Sequence, residues 1–283
     1  MREFSSITVQ DTQYPLYGLG TTVFWNGCPE AEDAFASVIC DGLVRMIDCA
    51  EMYGDGRCEE AVGRIVKKTG RQQVYLVDKI LPDNAVPGRF RKSLTQSLRR
   101  VGTDHFDLYL LHWREKADLP FVIDQMERAV KDGLIVRWGV SNFDVKDMED
   151  LFACENGKRC AADQVMYNLA TRGIEYDLLP WLEDHGVLPM SYSTLGSSMM
   201  DTRRVVAENP AVRRICEELQ LSPAALMLAF ALRNRNICTL FSSRSENHIR
   251  ENLAGAGRVP ASVFEELDEL FPAPESKTPL AKL

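Results

Sequence analysis

The sequence of 283 residues lacks any apolar run near the ~20 residues that span a bilayer. Its longest such run is only Ala224 to Leu232. It also lacks a surplus of positive charge. Lys and Arg total 33 against 41 Asp and Glu, a formal net charge of -8. Basic residues fall in scattered pairs such as Arg99-Arg100 and Arg213-Arg214, which read as solvated helix faces. No basic stripe of the kind that holds nucleic acid is present. The eight cysteines, at 28, 40, 49, 58, 154, 160, 216 and 238, include no C-x-x-C pair, so the common zinc and dithiol motifs are missing. There is no G-x-x-x-x-G-K-[ST], which removes P-loop phosphoryl transfer. Gly18-Leu19-Gly20 opens like a dinucleotide fingerprint, but Val23 stands where the third glycine belongs, and the segment reads as a strand end and turn. The first ten residues, MREFSSITVQ, are too polar for a secretory signal. With eight thiols, that points to a reducing, cytoplasmic compartment.

What the chain does have is a regular beat. Short apolar segments recur as PLYGLG from Pro15, RMIDCA from Arg45, VYLVDK from Val74 and FDLYLLHW from Phe106. They continue as LIVRWGV from Leu134, ADQVMYN from Ala162, VLPMSYS from Val187 and, after a longer gap, ICTLFSS from Ile237. Such runs suit parallel strands buried on both faces. The stretches between them carry helical stripes: Ala61, Val62, Ile65 and Val66; Leu94, Leu98 and Val101; Met126, Ala129 and Val130. Glycines at 42, 70, 102, 133, 157 and 186 are expected to stop helices, because glycine tolerates the left-handed closing residue. Ser222-Pro223 predicts a capped helix start. Val263, Phe264, Leu267, Leu270 and Phe271 mark a last amphipathic helix, followed by an irregular, proline-bearing tail from Pro272. Eight strands alternating with helices predict a (β/α)8 barrel, with a short N-terminal hairpin and an extra C-terminal helix. No linker-like stretch divides residues 1–283, so one domain is expected.

In such a barrel the C-terminal strand ends face one site. Those ends carry Asp48, with Tyr53 in the loop behind it, then Lys79, His112 with Trp113, Ser141-Asn142, Gln164 and Tyr192. Asp48 and Lys79 would both point inward, where pairing offsets the cost of burying either. Together these groups suit carbonyl reduction. A hydride reaching a carbonyl carbon leaves charge on oxygen, and that oxygen needs a proton. Tyr can donate it, but its ordinary pKa near 10 makes it a weak acid. A neighbouring ammonium is expected to lower that pKa. A neutral His can hydrogen-bond the same oxygen. A carboxylate would hold the Lys in place.

The segments DCAEMYGDGRCEEAVG from Asp48, GTDHFDLYLLHW from Gly102 and RWGVSNF from Arg137 resemble the aldo-keto reductase family. The resemblance runs from about Tyr14 to about Pro272. TRGIEYDLLPW from Thr171 and KTPL from Lys277 look most like its compact bacterial branch, which includes reductases of methylglyoxal and other small aldehydes. The resemblance implies a catalytic tetrad of Asp48, Tyr53, Lys79 and His112. It also implies NADP(H) held without a Rossmann fold, with NAD(H) use left open. Carboxamide ligands would be Ser141, Asn142 and Gln164, with Tyr192 stacking on the nicotinamide. Ser193, Leu195 and Gly196 would form the pyrophosphate loop, and Glu251 and Asn252 would meet the adenine. Tyr53, His112 and Trp113 would floor an open substrate pocket walled by Trp25. Two cations of the family's usual pattern are missing. After the eighth strand the chain reads Leu240-Phe241-Ser242-Ser243, with Ser242 replacing the usual Lys and His248 the usual Arg. Arg244, two residues on, is the substitute cation for binding the 2′-phosphate of NADPH. The implied activity is reduction of a small carbonyl substrate by a monomer with no nucleic-acid or membrane partner. A cofactor-sensing, weakly catalytic module on the same barrel is the alternative, and an unrelated barrel remains only if no cofactor binds.

Overall fold

Two strands, β1 (Ser6–Val9) and β2 (Thr12–Pro15), pair antiparallel in the computed structural model, which describes residues 6–233 and 236–283. Gln10 and Asp11 make the turn with φ of 45° and 61°, the left-handed pair that a tight two-residue hairpin needs. The eight apolar segments then form β3 (Tyr17–Gly20), β4 (Met46–Asp48), β5 (Tyr75–Ile80), β6 (Phe106–Leu111), β7 (Ile135–Ser141), β8 (Ala162–Met166), β9 (Leu188–Tyr192) and β10 (Cys238–Phe241). All neighbours run parallel, and β10 pairs with both β9 and β3, which closes the barrel. Helices lie between the strands. The longer gap before β10 holds three of them, Thr202–Glu208, Pro210–Leu219 and Pro223–Leu232. The extra C-terminal helix is Ala261–Leu270, and residues 271–283 are irregular. Among the described residues, no single helix is long and apolar enough to cross a membrane.

The pleat decides where the chemistry sits. Side chains alternate between the two faces of a strand. Met46, Val77, Leu108, Leu110, Ala162, Leu188, Met190, Cys238 and Leu240 fill the barrel interior, and Ile7, Tyr14 and Leu16 of the hairpin region pack beneath them as a plug. Two residues further along the same faces come Asp48, Lys79, His112, Gln164, Tyr192 and Ser242. One apolar floor therefore carries a ring of polar groups. Gly18 lies on this inner face because a Cβ there would stand 2.7 Å from the Met46 side chain, so the Gly18-Leu19-Gly20 segment is a strand, as its failed fingerprint suggested.

Three local expectations need correction. Gly42, Gly70, Gly102, Gly133 and Gly186 all adopt positive φ beyond helix ends, but Gly157 does not. The helix Val145–Ala153 ends earlier, Asn156 takes the left-handed position, and Gly157 is required because a Cβ there would overlap the Leu151 carbonyl oxygen. Phe271 falls just past its helix and serves as the capping residue. Arg100 is not a solvated surface charge. It is bound to Glu59, whose side chain is fully buried. Ser222 does cap its helix, accepting from the Ala225 N–H at 3.1 Å.

Candidate active site

Lys79 is the centre of the site. Its Nζ donates to Asp48 Oδ2 at 2.7 Å and to the Cys49 carbonyl at 2.8 Å, and the side chain is wholly buried. Burial alone would lower the ammonium's pKa, but Asp48 and the neighbouring Tyr53 reverse that and raise it. Asp48 uses its other oxygen to accept from Gln164 Nε2 at 2.8 Å. Thr21 holds the Asp48 carbonyl, donating from Oγ1 at 3.0 Å and from its backbone at 3.1 Å.

The Lys79 ammonium lies 5.2 Å from the centroid of the Tyr53 ring. Tyr53 begins a turn after β4 and meets His112 edge-on, with centroids 5.8 Å apart. Burial pushes the phenol up to about 12, and the pull of Lys79 offsets only part of this. The expectation of a lowered phenol pKa is thus corrected: desolvation outweighs the ammonium. Burial and then Lys79 push the His112 imidazole down to about 3. His112 Nδ1 is buried with no hydrogen-bond partner.

A depressed folded pKa means that the unfolded chain takes up the proton first. His112 therefore costs stability as pH falls below about 6.5 toward its folded value of about 3. The imidazole should stay neutral from about pH 5 to 8. An NMR titration of its ring resonances should be flat over that range, and a midpoint near 6.5 would overturn the assignment.

On the far wall, Ser141 Oγ donates to the Gln164 carbonyl at 2.7 Å. Asn142, at φ 61°, donates from Nδ2 to the His112 carbonyl and to Ser141 Oγ, both at 3.1 Å. Tyr192 donates its hydroxyl proton to Asn142 Oδ1 at 2.7 Å. Trp113 packs on His112 at 4.7 Å between ring centroids, and half-exposed Trp25 lies 6.3 Å from Tyr53. The tetrad residues, the amide cluster and both tryptophans thus meet at one mouth.

The remaining predicted residues follow the adjacent strands β9 and β10. Ser193 is left-handed and its carbonyl accepts from Asn168 Nδ2 at 3.1 Å. The Leu195 carbonyl accepts from Arg203 Nε at 3.0 Å, and Gly196, at φ 75°, leaves no room for a Cβ against Arg203. Ser242 donates to the Gly20 carbonyl at 2.7 Å, so its proton is already committed. Ser243 Oγ accepts from the Ser245 N–H at 3.1 Å. Arg244, His248 and Glu251 are exposed, whereas Asn252 is buried and accepts from Ser222 Oγ at 3.2 Å. Thr21, Asn168, Arg203 and Arg100 escaped the sequence reading. Each acts by holding another residue's backbone or carboxylate, which leaves no local pattern to find.

The family model described as "Aldo/keto reductase family" matches residues 21–271. The chain is 35% identical over 275 residues to methylglyoxal reductase YeaE of Escherichia coli (strain K12), covering 95% of each protein. It is 29% identical over 247 residues to methylglyoxal reductase DkgB of Escherichia coli O157:H7, covering 84% of this chain and 86% of that one. An aldo/keto reductase from Klebsiella pneumoniae, solved in complex with NADP and acetate, superposes with a TM-score of 0.91 at 33% identity, covering 99% of this chain and 100% of that one. A barrel with its polar ring at the C-terminal strand ends, and matches of this length, make the chain a member of the aldo/keto reductase family.

Proposed function

We propose that this chain is an NADPH-dependent reductase of small aldehydes and 2-oxoaldehydes, with Tyr53 as the proton donor. The single observation that carries the reading is the fixed Asp48–Lys79 pair beneath the Tyr53 ring, with neutral His112 on the other side. The dinucleotide, when bound, supplies the hydride. The chain's own groups do the rest. His112 can donate a hydrogen bond to a carbonyl oxygen without bringing a second positive charge. Tyr53 keeps its proton at neutral pH and releases it to that oxygen as negative charge develops there. Lys79 stabilises the phenolate left behind, and Asp48 keeps the ammonium in position.

The residues present suit such a cofactor. Ser141, Asn142 and Gln164 offer amide and hydroxyl groups to a carboxamide, and the Tyr192 ring, steadied by Asn142, offers a flat face to a nicotinamide. Trp113 would floor and Trp25 would wall a pocket for a small carbonyl compound, as the methylglyoxal reductases among the relatives suggest. We take the enzyme to be monomeric and cytoplasmic, a setting that suits its eight unpaired cysteines. Consumption of NADPH with methylglyoxal tests the activity. Tight NADPH binding without turnover would replace this reading with the cofactor-sensing one.

NADH should also be accepted. Ser242 brings no charge, and the nearby Arg250 is engaged by Asp41 and Glu246. Exposed Arg244 is the cation that the family pattern leaves to meet a 2′-phosphate. Ser242→Lys should raise the preference for NADPH over NADH by roughly tenfold or more, the scale of a hydrogen bond to a charged group. Fluorescence titration with both dinucleotides measures it, and an unchanged ratio would remove Ser242 from the selectivity argument.

A further inference from the structure

Behind the barrel wall lies a second set of buried charges that the chemistry above does not use. Asp78 precedes Lys79 on β5, so the pleat sends its side chain outward, away from the mouth. It is fully buried, and no donor meets hydrogen-bond geometry at either carboxyl oxygen. Its neighbour is the side chain of Glu59, from the helix Arg57–Thr69, which is equally buried. Glu59 is gripped by Arg100, from the helix Phe90–Val101, through Nη2 to Oε1 at 3.2 Å and a closer contact from Nε to Oε2. Arg100 also donates to Ser97 Oγ at 3.1 Å.

Among the described residues, the other ionisable groups around this pair are Cys49, Glu51, Cys58, Lys79 and Tyr109. Lys79 is committed to Asp48 and the Cys49 carbonyl, and Glu51 accepts from Ser93, Asn84 and the Leu81 N–H. Asp78 and Glu59 are therefore left to share one guanidinium. Two adjacent buried carboxylates do not both ionise cheaply, and a proton between them leaves one negative charge for Arg100 to balance.

Arg100 has a second contact. The turn beginning at Tyr53 continues through Gly54, Asp55 and Gly56 with φ of 60°, 54° and 89°. Three successive left-handed residues, one of them not glycine, persist only where their surroundings hold them. A Cβ at Gly56 would lie 2.6 Å from Arg100 Cδ, so the arginine stem lies directly against the end of the turn. A Cβ at Gly63 would lie 2.8 Å from the Val101 carbonyl, so the two helices bearing Glu59 and Arg100 are also in close backbone contact.

We propose that Asp78 is a positioning residue: as the neutral acid it donates to Glu59, and Glu59 with Arg100 braces the left-handed turn that holds Tyr53 over the site. The catalytic consequence rests on the reading of Tyr53 as proton donor. Burial and the adjacent Glu59 both push the Asp78 carboxyl well above its usual range, in keeping with a retained proton.

The test compares Asp78→Asn, which keeps a donor that cannot ionise, with Asp78→Val, which removes it. Asp78→Asn should retain kcat within a few-fold. Asp78→Val should lose kcat by about 10- to 100-fold, the scale of a misplaced reacting group, with little change in KM or in the Kd for NADPH. Arg100→Lys keeps the charge but not the planar fork, and should lose kcat in the same way. Hydrogen exchange at the amides of residues 54–57 should quicken in Asp78→Val and Arg100→Lys and stay slow in Asp78→Asn. The infrared difference between wild type and Asp78→Asn at neutral pH should contain the carbonyl stretch of a protonated carboxylic acid. The last two readouts need no turnover, so a protein that reduces no carbonyl would lose the proposed function and still show the brace. Absence of the neutral-acid band, or exchange at residues 54–57 unchanged in Arg100→Lys, overturns the inference even if Asp78→Val does not fold.

Discussion

Tyr53→Phe should bind NADPH as the parent does and lose kcat/KM for methylglyoxal by about 10²- to 10⁴-fold, the contribution of a positioned proton donor. The ring stays, so its packing against Trp25 and His112 stays, and the melting temperature should hardly move. Only the hydroxyl is lost. The alkaline limb carries a second check. With the phenol pushed up to about 12, the donor form is full at neutral pH, and the rate should fall only as pH approaches that value. A limb near the ordinary tyrosine value of about 10 would mean that Lys79 cancels the effect of burial in the working complex. Unchanged kcat in Tyr53→Phe would sink the assigned role outright.

Lys79→Met should do more damage, because it removes a charge from a buried pair. Asp48 would then lie in the barrel with Gln164 as its remaining side-chain donor. Breaking a buried ion pair by removing one partner costs about 3–5 kcal/mol, and activity should vanish with the ammonium. Urea unfolding measures the loss. The double variant Asp48→Asn/Lys79→Met should recover much of that stability and none of the activity. If the single variant unfolds at the parent's urea midpoint, the pair does not stabilise the barrel.

The barrel was readable because each strand is a short run of apolar residues whose end is marked by a polar one. Asp48, Lys79 and His112 stand out in sequence for the same reason that they meet in space: each is the next inward residue after an apolar one on its strand. The Asp48–Lys79 pairing followed from the cost of burying either alone. Contacts between distant elements left no such trace. Gln164 reaches Asp48 across 116 residues, and Arg100 reaches Glu59 across 41, between two helices whose mutual placement no local pattern encodes. Arg100 therefore looked like one half of an ordinary surface pair. Gly157 misled because its glycine answers to a tertiary clash rather than to helix termination. The direction of the Tyr53 shift was missed because the nearby ammonium can be inferred from sequence, whereas the depth of burial cannot.

The bond from Ser242 to the Gly20 carbonyl joins residues 222 positions apart and lies at the seam where the last strand meets the first of the barrel. During synthesis that seam cannot form until residue 241 has left the ribosome. Until then β3 and β9 are both open edges, each able to pair with another chain. The seam is also the most non-local pairing in the sheet, the kind whose loop-closure entropy slows folding. The end of the site proposed to meet the 2′-phosphate is thus the latest part of the molecule to be completed, whereas β4, β5 and β6, which bring Asp48, Lys79 and His112 together, can assemble from the first half of the chain.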